Sequence, residues 1–336
     1  MSTGAPQRAQ RAQGDGGLST VRAAAPTVGV LLAGAAERLA AAGLPTARPD
    51  AEWLLAAVLG AERLHIVLDR ARVVAAPAAA RFEQLVARRA AHEPLQHLLG
   101  YEDFHGVRLR VTPDVLVPRP ETEALVAWAL EVLASWPRPR IADVGTGSGA
   151  IACALANARP DAEVVAIDSS LAALEVARDN ARRLGLARRV RVLAGDLLAP
   201  LAPRPAGGGL DLVIANLPYL PTGLLPSLPR EVVAYEPRLA LDGGGDGLRL
   251  VRRLVAEAPR VLRPGGAVLV EVGEDQAGAV ASLLAAEGFV DVAARRDLAG
   301  VERHLGARRP TADAAARSSR SPGEGPAGIA APARYR

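Results

Sequence analysis

The spacing of apolar residues divides the chain into a helical first part and a longer second part that mixes strands and helices. Apolar residues between Leu31 and Leu39 recur at the spacing of one helical face, with Thr27 as the predicted N-cap and Gly43 as the stop. Asp50 is predicted to cap a second helix, and a third follows after a short apolar segment. The pattern over residues 27–97 therefore predicts a small helical domain.

Beyond residue 97 the pattern changes to strands. Residues 98–117 alternate apolar and polar positions around Gly106, which predicts a β-hairpin. Short apolar runs at 163–167, 190–193, 211–215 and 267–272 then alternate with helical segments. Such runs are typical of strands buried on both faces of a parallel sheet. The chain is therefore predicted to be an α/β protein with an open sheet.

These changes predict five segments. We expect a disordered tail at 1–26, the helical domain at 27–97, a hairpin linker at 98–117, an α/β domain at 118–310 and a second disordered tail at 311–336. No apolar run reaches the length of a membrane span, and residues 1–26 lack the apolar region of a signal peptide. We therefore expect a cytoplasmic protein without a membrane partner.

The net charge of +4 lies in the two predicted tails. Residues 1–26 hold three arginines and one aspartate, and residues 311–336 hold four arginines, one aspartate and one glutamate. The part between them is neutral, whereas a duplex-binding domain usually carries a net positive charge. A nucleic-acid substrate is therefore not expected.

The most informative stretch is the tetrapeptide Asn216-Leu217-Pro218-Tyr219, which follows the strand at 211–215. Ligands of open α/β sheets bind at the carboxyl ends of the strands. The Asn216 side-chain carbonyl and the Leu217 backbone carbonyl can accept both N–H bonds of one planar –NH₂ group, while Pro218 keeps Leu217 extended. Tyr219 offers an aromatic face to the same plane. The tetrapeptide indicates a site for an amide or aryl amine, or else a proline-rich loop without chemistry.

Three other segments predict a cofactor site. Gly145, Gly147 and Gly149 occupy positions one, three and five of a loop between a strand and a helix, unlike the one, three and six spacing of NAD sites. Asp168 ends the next strand, where a carboxylate can accept hydrogen bonds from ribose hydroxyls. Leu197, beside Asp196, suits the face of an adenine. Together these residues favour S-adenosylmethionine over NAD.

The remaining features have simpler interpretations. The glycine-rich segment 236–247 is interpreted as a flexible connection, and Cys153 as a small buried residue on a helix. His92 and His97 are five residues apart, outside the three or four expected for two ligands on one helix face, so no metal site is predicted.

Several motifs in order make the chain resemble a known family. They are Glu93-Pro-Leu-Gln96, Pro118-Arg-Pro-Glu-Thr-Glu123, Asp143-Val-Gly-Thr-Gly-Ser-Gly149, Asn216-x-Pro-Tyr219, Glu236-Pro237 with Gly-Asp-Gly247, and Asp297-Leu-Ala-Gly300. From about residue 27 to residue 309 the chain resembles the release-factor glutamine N5-methyltransferases of the HemK/PrmC type. The resemblance implies a helical domain that helps to hold a protein substrate, a hairpin, and a class I S-adenosylmethionine-dependent methyltransferase domain (Rossmann-like, seven-stranded sheet).

The resemblance also implies site residues. Gly145, Thr146, Gly147, Ser148 and Gly149 would line the methionine part of S-adenosylmethionine, Asp168 would hold the ribose, Leu197 would lie by the adenine, and Asn216 would border the cofactor. Asn216, Leu217, Pro218 and Tyr219 would receive the glutamine amide. Leu217 departs from the family, which usually has proline there.

The implied reaction is methylation of the glutamine side-chain nitrogen in the Gly-Gly-Gln motif of peptide chain release factors, by a monomer. Three alternatives stay open. They are a glutamine methyltransferase for a ribosomal protein, an amino-methyltransferase for adenine or cytosine in nucleic acid, and a cofactor-binding subunit without activity.

Overall fold

The computed structural model describes Met1 and residues 25–202, 208–297 and 299–311. Most of the two segments predicted as disordered tails therefore lies outside the described residues. The chain forms two compact units, residues 1–86 and 87–336.

The first unit is helical, and its helices begin and end at residues that the sequence marks. The Thr27 hydroxyl accepts a hydrogen bond from the Val30 amide, as an N-cap does. The prediction that Asp50 caps the second helix is wrong, because the helix begins a turn earlier and Asp50 lies within it. A proline in a first turn costs no hydrogen bond, so Pro49 does not prevent the earlier start. The helices are α1 (Val28–Ala41), α2 (Ala47–Leu59), α3 (Arg63–Leu68) and α4 (Ala76–Ala90).

The second unit takes in the end of α4, then a short helix and a hairpin, and continues as alternating strands and helices. Its helices are α5 (Leu95–Leu99), α6 (Pro120–Val132), α7 (Ala150–Ala158), α8 (Leu171–Arg183), α9 (Arg230–Tyr235), α10 (Arg249–Val261) and α11 (Ala277–Ala286). Its strands are β1 (Tyr101–Phe104), β2 (Val107–Arg110), β3 (Arg140–Val144), β4 (Glu163–Asp168), β5 (Val190–Ala194), β6 (Leu210–Asn216), β7 (Leu220–Pro221), β8 (Asp242–Gly244), β9 (Leu262–Glu271), β10 (Val290–Arg296) and β11 (Glu302–Arg308).

Seven strands form one sheet in the order β10-β11-β9-β6-β3-β4-β5. Strands β3, β4, β5, β6 and β9 are parallel, and β11 lies antiparallel to both of its neighbours. This is the seven-stranded class I methyltransferase sheet expected from the resemblance.

The apolar runs along the central strands are continuous because both faces of the sheet are covered. Ile141 and Leu212 pack into one buried cluster, while their neighbours Ala142 and Val213 pack into a second. Because successive side chains of a strand point to opposite faces, the two clusters lie on the two sides of the sheet.

The order of the strands reverses beside β3. From β3 the chain proceeds to β4 and β5 on one side, and then returns to place β6 on the other. In open α/β sheets, the crevice at such a switch point, outside the carboxyl ends of the strands, is where ligands bind. In this chain Gly145 follows the end of β3, and Leu217 follows the end of β6.

The described residues contain neither a membrane-spanning helix nor a cluster of metal-ligating side chains. None of their helices is long and apolar enough to cross a membrane. Nor do the ranges described above contain a group of three or more His, Cys, Asp or Glu side chains arranged to hold a metal ion.

Candidate functional site

A cavity of about 450 Å³ lies at the switch point, within the second unit. Four strand ends contribute to its wall, those of β3, β4, β5 and β6, and segments around residues 114–116 and 237–250 complete it. From the strand ends it is lined by Val144, Gly145, Gly147, Ile167, Asp168, Ser169, Ser170, Gly195, Asp196, Leu197, Asn216, Leu217 and Pro218.

The three glycines of the β3–α7 loop all have positive φ, but they face different surroundings. Gly145 lines the cavity, and a Cβ there would lie 2.8 Å from a methyl carbon of Leu217. Gly147 also lines it, and its amide donates to the Asp168 carboxylate at 2.9 Å. A Cβ on Gly149 would instead meet Ala177 of α8 at 3.2 Å. The missing side chain therefore leaves room for Leu217 at Gly145 and for α8 at Gly149, whereas nothing lies within 4 Å of a Cβ on Gly147.

The two polar residues of this loop, Thr146 and Ser148, are buried and do not line the cavity. Thr146 donates its hydroxyl hydrogen to Asp143 at 2.6 Å, and the Ser148 carbonyl accepts from Asn180 at 2.9 Å. Both residues hold the loop from its protein side. Their place in the cofactor site remains a prediction.

Asp143, the last polar residue of β3, is fully buried. Burial raises the pKa of its carboxyl to about 7. Hydrogen bonds from Thr146 and the Ala152 amide lower the pKa and so oppose this effect. Its second oxygen, Oδ1, has no hydrogen-bond partner among the residues that the structure describes. In the sequence, Asp143 belongs to a motif but has no assigned role. An acidic residue inside an otherwise apolar strand is the signal that could have indicated a structural role.

Asp168 is oriented by two backbone amides. Its Oδ2 accepts from Gly147 and its Oδ1 accepts from Ser170, both at 2.9 Å. A carboxylate offers about four acceptor positions, so two remain for other donors. Since Asp168 lines the cavity, those positions suit the paired hydroxyls of a ribose.

Leu197 contributes an apolar wall at the end of β5. It is buried and holds a φ of 49°, a conformation that a leucine adopts only when its surroundings impose it. The amide of Gly195 donates to the Asp168 carbonyl at 3.0 Å, which keeps this turn beside β4. Leu239 and Leu250 line the same cavity. This wall suits the flat, apolar face of a purine.

Asn216 ends β6 and lines the cavity. Its amide nitrogen donates to the hydroxyl of Thr122 at 3.0 Å, and that hydroxyl donates to the Glu271 carboxylate at 2.7 Å. Burial raises the Glu271 pKa to about 7, and hydrogen bonds from Thr122 and Asn216 together with the charge of Arg303 oppose the rise. Thr122 belongs to the Pro118–Glu123 motif and Glu271 to no motif, and the sequence assigns neither a role. They lie 94 and 55 positions away from Asn216 along the chain.

Residues 217–219 form an extended segment that neighbouring residues hold in place. Leu217 is buried and packs against the position of Gly145. The Tyr219 carbonyl accepts from the Gln276 side chain at 2.9 Å, and the following strand β7 pairs with β8. Leu217 and Pro218 line the cavity, whereas Tyr219 does not. Burial, and then the charge of Glu271, raises the pKa of the Tyr219 phenol.

The interpretation of residues 236–247 as a flexible connection is wrong. Glu236 is buried and accepts from Arg119, and β8 within this segment pairs with β7. A Cβ on Gly243 would lie 2.6 Å from the Pro218 carbonyl oxygen, and one on Gly247 would lie 2.1 Å from that of Tyr219. The glycines therefore serve close packing against the Asn216 segment rather than flexibility.

The described residues thus fit a nucleoside cofactor of the S-adenosylmethionine type. A glycine cradle, a free pair of carboxylate acceptor positions and an apolar wall face one cavity, in the order that the methionine, ribose and adenine parts require. Asn216 and Leu217, the two residues predicted to bind an amide, line the same cavity.

Comparison with protein families agrees with this geometry. The PrmC N-terminal domain family matches residues 31–100, and a methyltransferase domain family matches residues 138–287. The family of protein-L-isoaspartate(D-aspartate) O-methyltransferases also matches, over residues 66–203.

Individual relatives carry the same kind of name. A release factor glutamine methyltransferase of Moorella thermoacetica is 50% identical over 218 residues, which are 65% of this chain and 75% of that protein. A release factor glutamine methyltransferase of Mycolicibacterium smegmatis is 46% identical over 218 residues. The match covers 64% of this chain and 73% of that protein. Among solved structures, a release factor-specific protein-(glutamine-N5) methyltransferase of Alicyclobacillus acidocaldarius is 31% identical and covers 60% of this chain and 99% of that one, with a TM-score of 0.37.

Proposed function

Because this chain belongs to the release factor glutamine methyltransferase family, we propose that it methylates the side-chain nitrogen of a glutamine in a peptide chain release factor. The methyl donor is S-adenosylmethionine, and the target glutamine is that of the Gly-Gly-Gln motif. The products are N5-methylglutamine, S-adenosylhomocysteine and one proton, which leaves the amide nitrogen after the N–C bond has formed and the S–C bond has broken.

The lining of the cavity supports the proposed cofactor residues. Gly145 and Gly147 would border the methionine part, the two open acceptor positions of Asp168 would take the ribose hydroxyls, and Leu197 would lie by the adenine. Thr146, Ser148 and Gly149 support the loop, and Asn216 borders the cofactor from β6. When bound, S-adenosylmethionine supplies a methyl group on a positively charged sulfur.

The chain's own contribution to the reaction is orientation. An amide nitrogen is a poor nucleophile because its lone pair is delocalised into the carbonyl group. The Asn216 Oδ1 and the Leu217 carbonyl accept the two N–H bonds of the glutamine amide and fix its plane. Pro218 restrains that turn, and Tyr219 closes the segment through the Gln276 bond to its carbonyl.

The same two acceptors stabilise the charge that develops. As the new N–C bond forms, the amide nitrogen becomes more positive and its N–H bonds more acidic. Carbonyl oxygens that are already in place gain strength toward such donors in the transition state, which is the interaction that accelerates a reaction. Leucine at 217 supplies the same backbone carbonyl as proline would.

One observation carries the proposal. Asn216 lines the same cavity as Asp168 and the glycine loop, at the switch point of the sheet, so that an amide held by Asn216 faces a donor held by Asp168.

The experiment that tests it measures transfer of labelled methyl from S-adenosylmethionine to a purified release factor. A copy of the factor with alanine in place of the Gly-Gly-Gln glutamine serves as the substrate control. The enzyme is used as wild type and as Asn216→Ala, with cofactor affinity measured separately for both. We expect label only on the intact factor, and a loss of about 100-fold or more in Asn216→Ala with cofactor affinity retained.

Label on the alanine factor would contradict the assigned glutamine. The absence of label on either factor would contradict the release-factor substrate, and purified ribosomal proteins and nucleic acid would then be tested in the same assay.

A further inference from the structure

Asn216 is the end of a directed chain of hydrogen bonds that begins at a buried carboxylate. The Thr122 hydroxyl lies 2.7 Å from Oε2 of Glu271 and 3.0 Å from Nδ2 of Asn216. The side chain of Glu271 and the whole of Thr122 are almost completely buried. The hydrogen bond between Thr122 and Glu271 is therefore shielded from bulk water, and Asn216 joins it to the cavity.

The fold brings the three residues together from separate elements. Asn216 and Glu271 are register partners at the ends of the neighbouring parallel strands β6 and β9. Thr122 lies in the first turn of α6. Two strand ends and a helix start fix the geometry, so the hydrogen bonds do not depend on a flexible loop.

The direction of the chain is dictated by chemistry. Above pH 7 the Glu271 carboxyl is ionised and only accepts, so at such pH the single hydroxyl hydrogen of Thr122 goes to Glu271. The oxygen of Thr122 is then available only as an acceptor toward Asn216. The group of Asn216 that faces it must be the –NH₂ and not the carbonyl, because two acceptors would repel each other.

This direction determines what the site offers a substrate. With its –NH₂ turned toward Thr122, Asn216 must turn its Oδ1 the other way. That oxygen accepts no hydrogen bond from any residue in the described part of the chain, and Asn216 lines the cavity. If the amide were flipped, the cavity would meet a donor, which cannot hold the N–H bonds of another amide.

We propose that Thr122 and Glu271 are positioning residues that hold the Asn216 amide with its oxygen toward the substrate nitrogen. This role rests on the proposed function, because it explains how Asn216 comes to accept hydrogen bonds from a glutamine amide. Neither residue touches the substrate, and each acts through Asn216.

The matched variants are Thr122→Val and Thr122→Ser. Valine keeps the shape of threonine and removes the hydroxyl, while serine keeps the hydroxyl. The first readout is the exchange of side-chain amide protons with water, followed by NMR on protein labelled with ¹⁵N at asparagine. The chain has three asparagines. Asn157 is exposed and Asn180 is fully buried, so they serve as the unprotected and protected references.

In wild type and Thr122→Ser we expect an Asn216 proton that exchanges more slowly than those of Asn157. In Thr122→Val that protection is reduced, while Asn180 stays protected and shows that the fold is intact. The second readout is steady-state kinetics. Thr122→Val lowers kcat by about tenfold or more with the affinity for S-adenosylmethionine unchanged, and Thr122→Ser restores most of kcat.

Three results separate the possibilities. Unchanged Asn216 protection or unchanged kcat in Thr122→Val would overturn the positioning role. Equal impairment of the serine and valine variants would also overturn it, because the hydroxyl would then not be the active feature. If wild type transfers no methyl group but the exchange pattern is as expected, the orientation of Asn216 is supported and only the proposed substrate fails.

Discussion

The guanidinium of Arg119 donates to both carboxylate oxygens of Glu236, at 2.7 Å each, across 117 positions of the chain. Arg119 precedes α6, which carries Thr122, and Glu236 begins the segment that packs against Pro218 and Tyr219. The pair therefore connects two parts of the molecule that both hold the Asn216 segment.

Removal of Arg119 should destabilise the protein more than removal of an exposed arginine. Arg119→Met leaves the buried carboxylate of Glu236 without its partner, and we expect a loss of about 1–3 kcal/mol in the free energy of unfolding. Arg296 pairs with Glu302 at the surface, so Arg296→Met should cost less than about 1 kcal/mol. Urea unfolding of both variants measures the difference. Equal losses would mean that the Arg119 pair contributes no more than a surface pair.

Gly247 should not tolerate a side chain. Its φ is 77°, and a Cβ would lie 2.1 Å from the Tyr219 carbonyl oxygen, so Gly247→Ala should cost about 2 kcal/mol or more and displace the Asn216 segment. Gly245 is exposed and has nothing within 4 Å of a Cβ, so Gly245→Ala should stay within about 0.5 kcal/mol of wild type. Thermal unfolding and methyl transfer are measured for both. If Gly247→Ala has the thermal stability and the methyl-transfer activity of the wild-type protein, this close approach is not required.

Glu271 should make stability depend on pH. Burial raises its pKa from 4.5 to about 7, and the groups that act on it include Arg303, Glu121 and Thr122, with the His304 ring 3.9 Å away. Burial lowers the pKa of His304 below its usual value, which favours the neutral ring. Between pH 4.5 and pH 7 the unfolded chain loses the Glu271 proton while the folded chain keeps it. The free energy of unfolding therefore falls as pH rises.

The comparison is wild type against Glu271→Gln, which does not titrate. We expect the stability of wild type relative to this variant to decrease by roughly 3 kcal/mol from pH 4.5 to pH 7, and to change little above that. Chemical denaturation at several pH values measures it. Because Asp143 titrates in both proteins, its contribution cancels in the difference. A difference that does not change with pH would show that Glu271 has an ordinary pKa in the folded protein.

Cys153 should be unreactive in the folded protein. It is the single cysteine of the chain, it is buried in α7, and burial raises its thiol pKa to about 12. Since the thiolate is the reacting form, a thiol reagent at pH 8 should not modify the native protein, and it should modify one thiol per chain in denaturant. Absorbance of the released chromophore measures both. Fast modification of the native protein would contradict the burial of this helix.

Local patterns were sufficient to predict much of the site. The β6 strand, the positive-φ glycines at 145 and 147, and the carboxylate of Asp168 all depend on a few neighbouring residues. Their side-by-side arrangement follows from the general rule that ligands meet the carboxyl ends of a parallel sheet. The apolar runs also predicted a sheet covered on both faces, as the two buried clusters show.

Other features had no local signal. The glycines of segment 236–247 fit flexibility and close packing equally well by sequence, and only the nearby carbonyls of Pro218 and Tyr219 decide for packing. In the same way, Asp50 has the composition of a cap, yet the helix begins at Ala47.

The sequence by itself determined the fold class, the glycine loop after β3 and the position of the tetrapeptide 216–219 at the end of β6, because periodicity and turn chemistry act between residues close along the chain. Only the tertiary structure decided which way Asn216 faces. That orientation depends on Thr122 and Glu271, which reach Asn216 by the pairing of β6 with β9 and the docking of α6. A hydrogen bond between residues so distant along the chain leaves no periodic trace in the sequence, so its partners become visible only when the chain is folded.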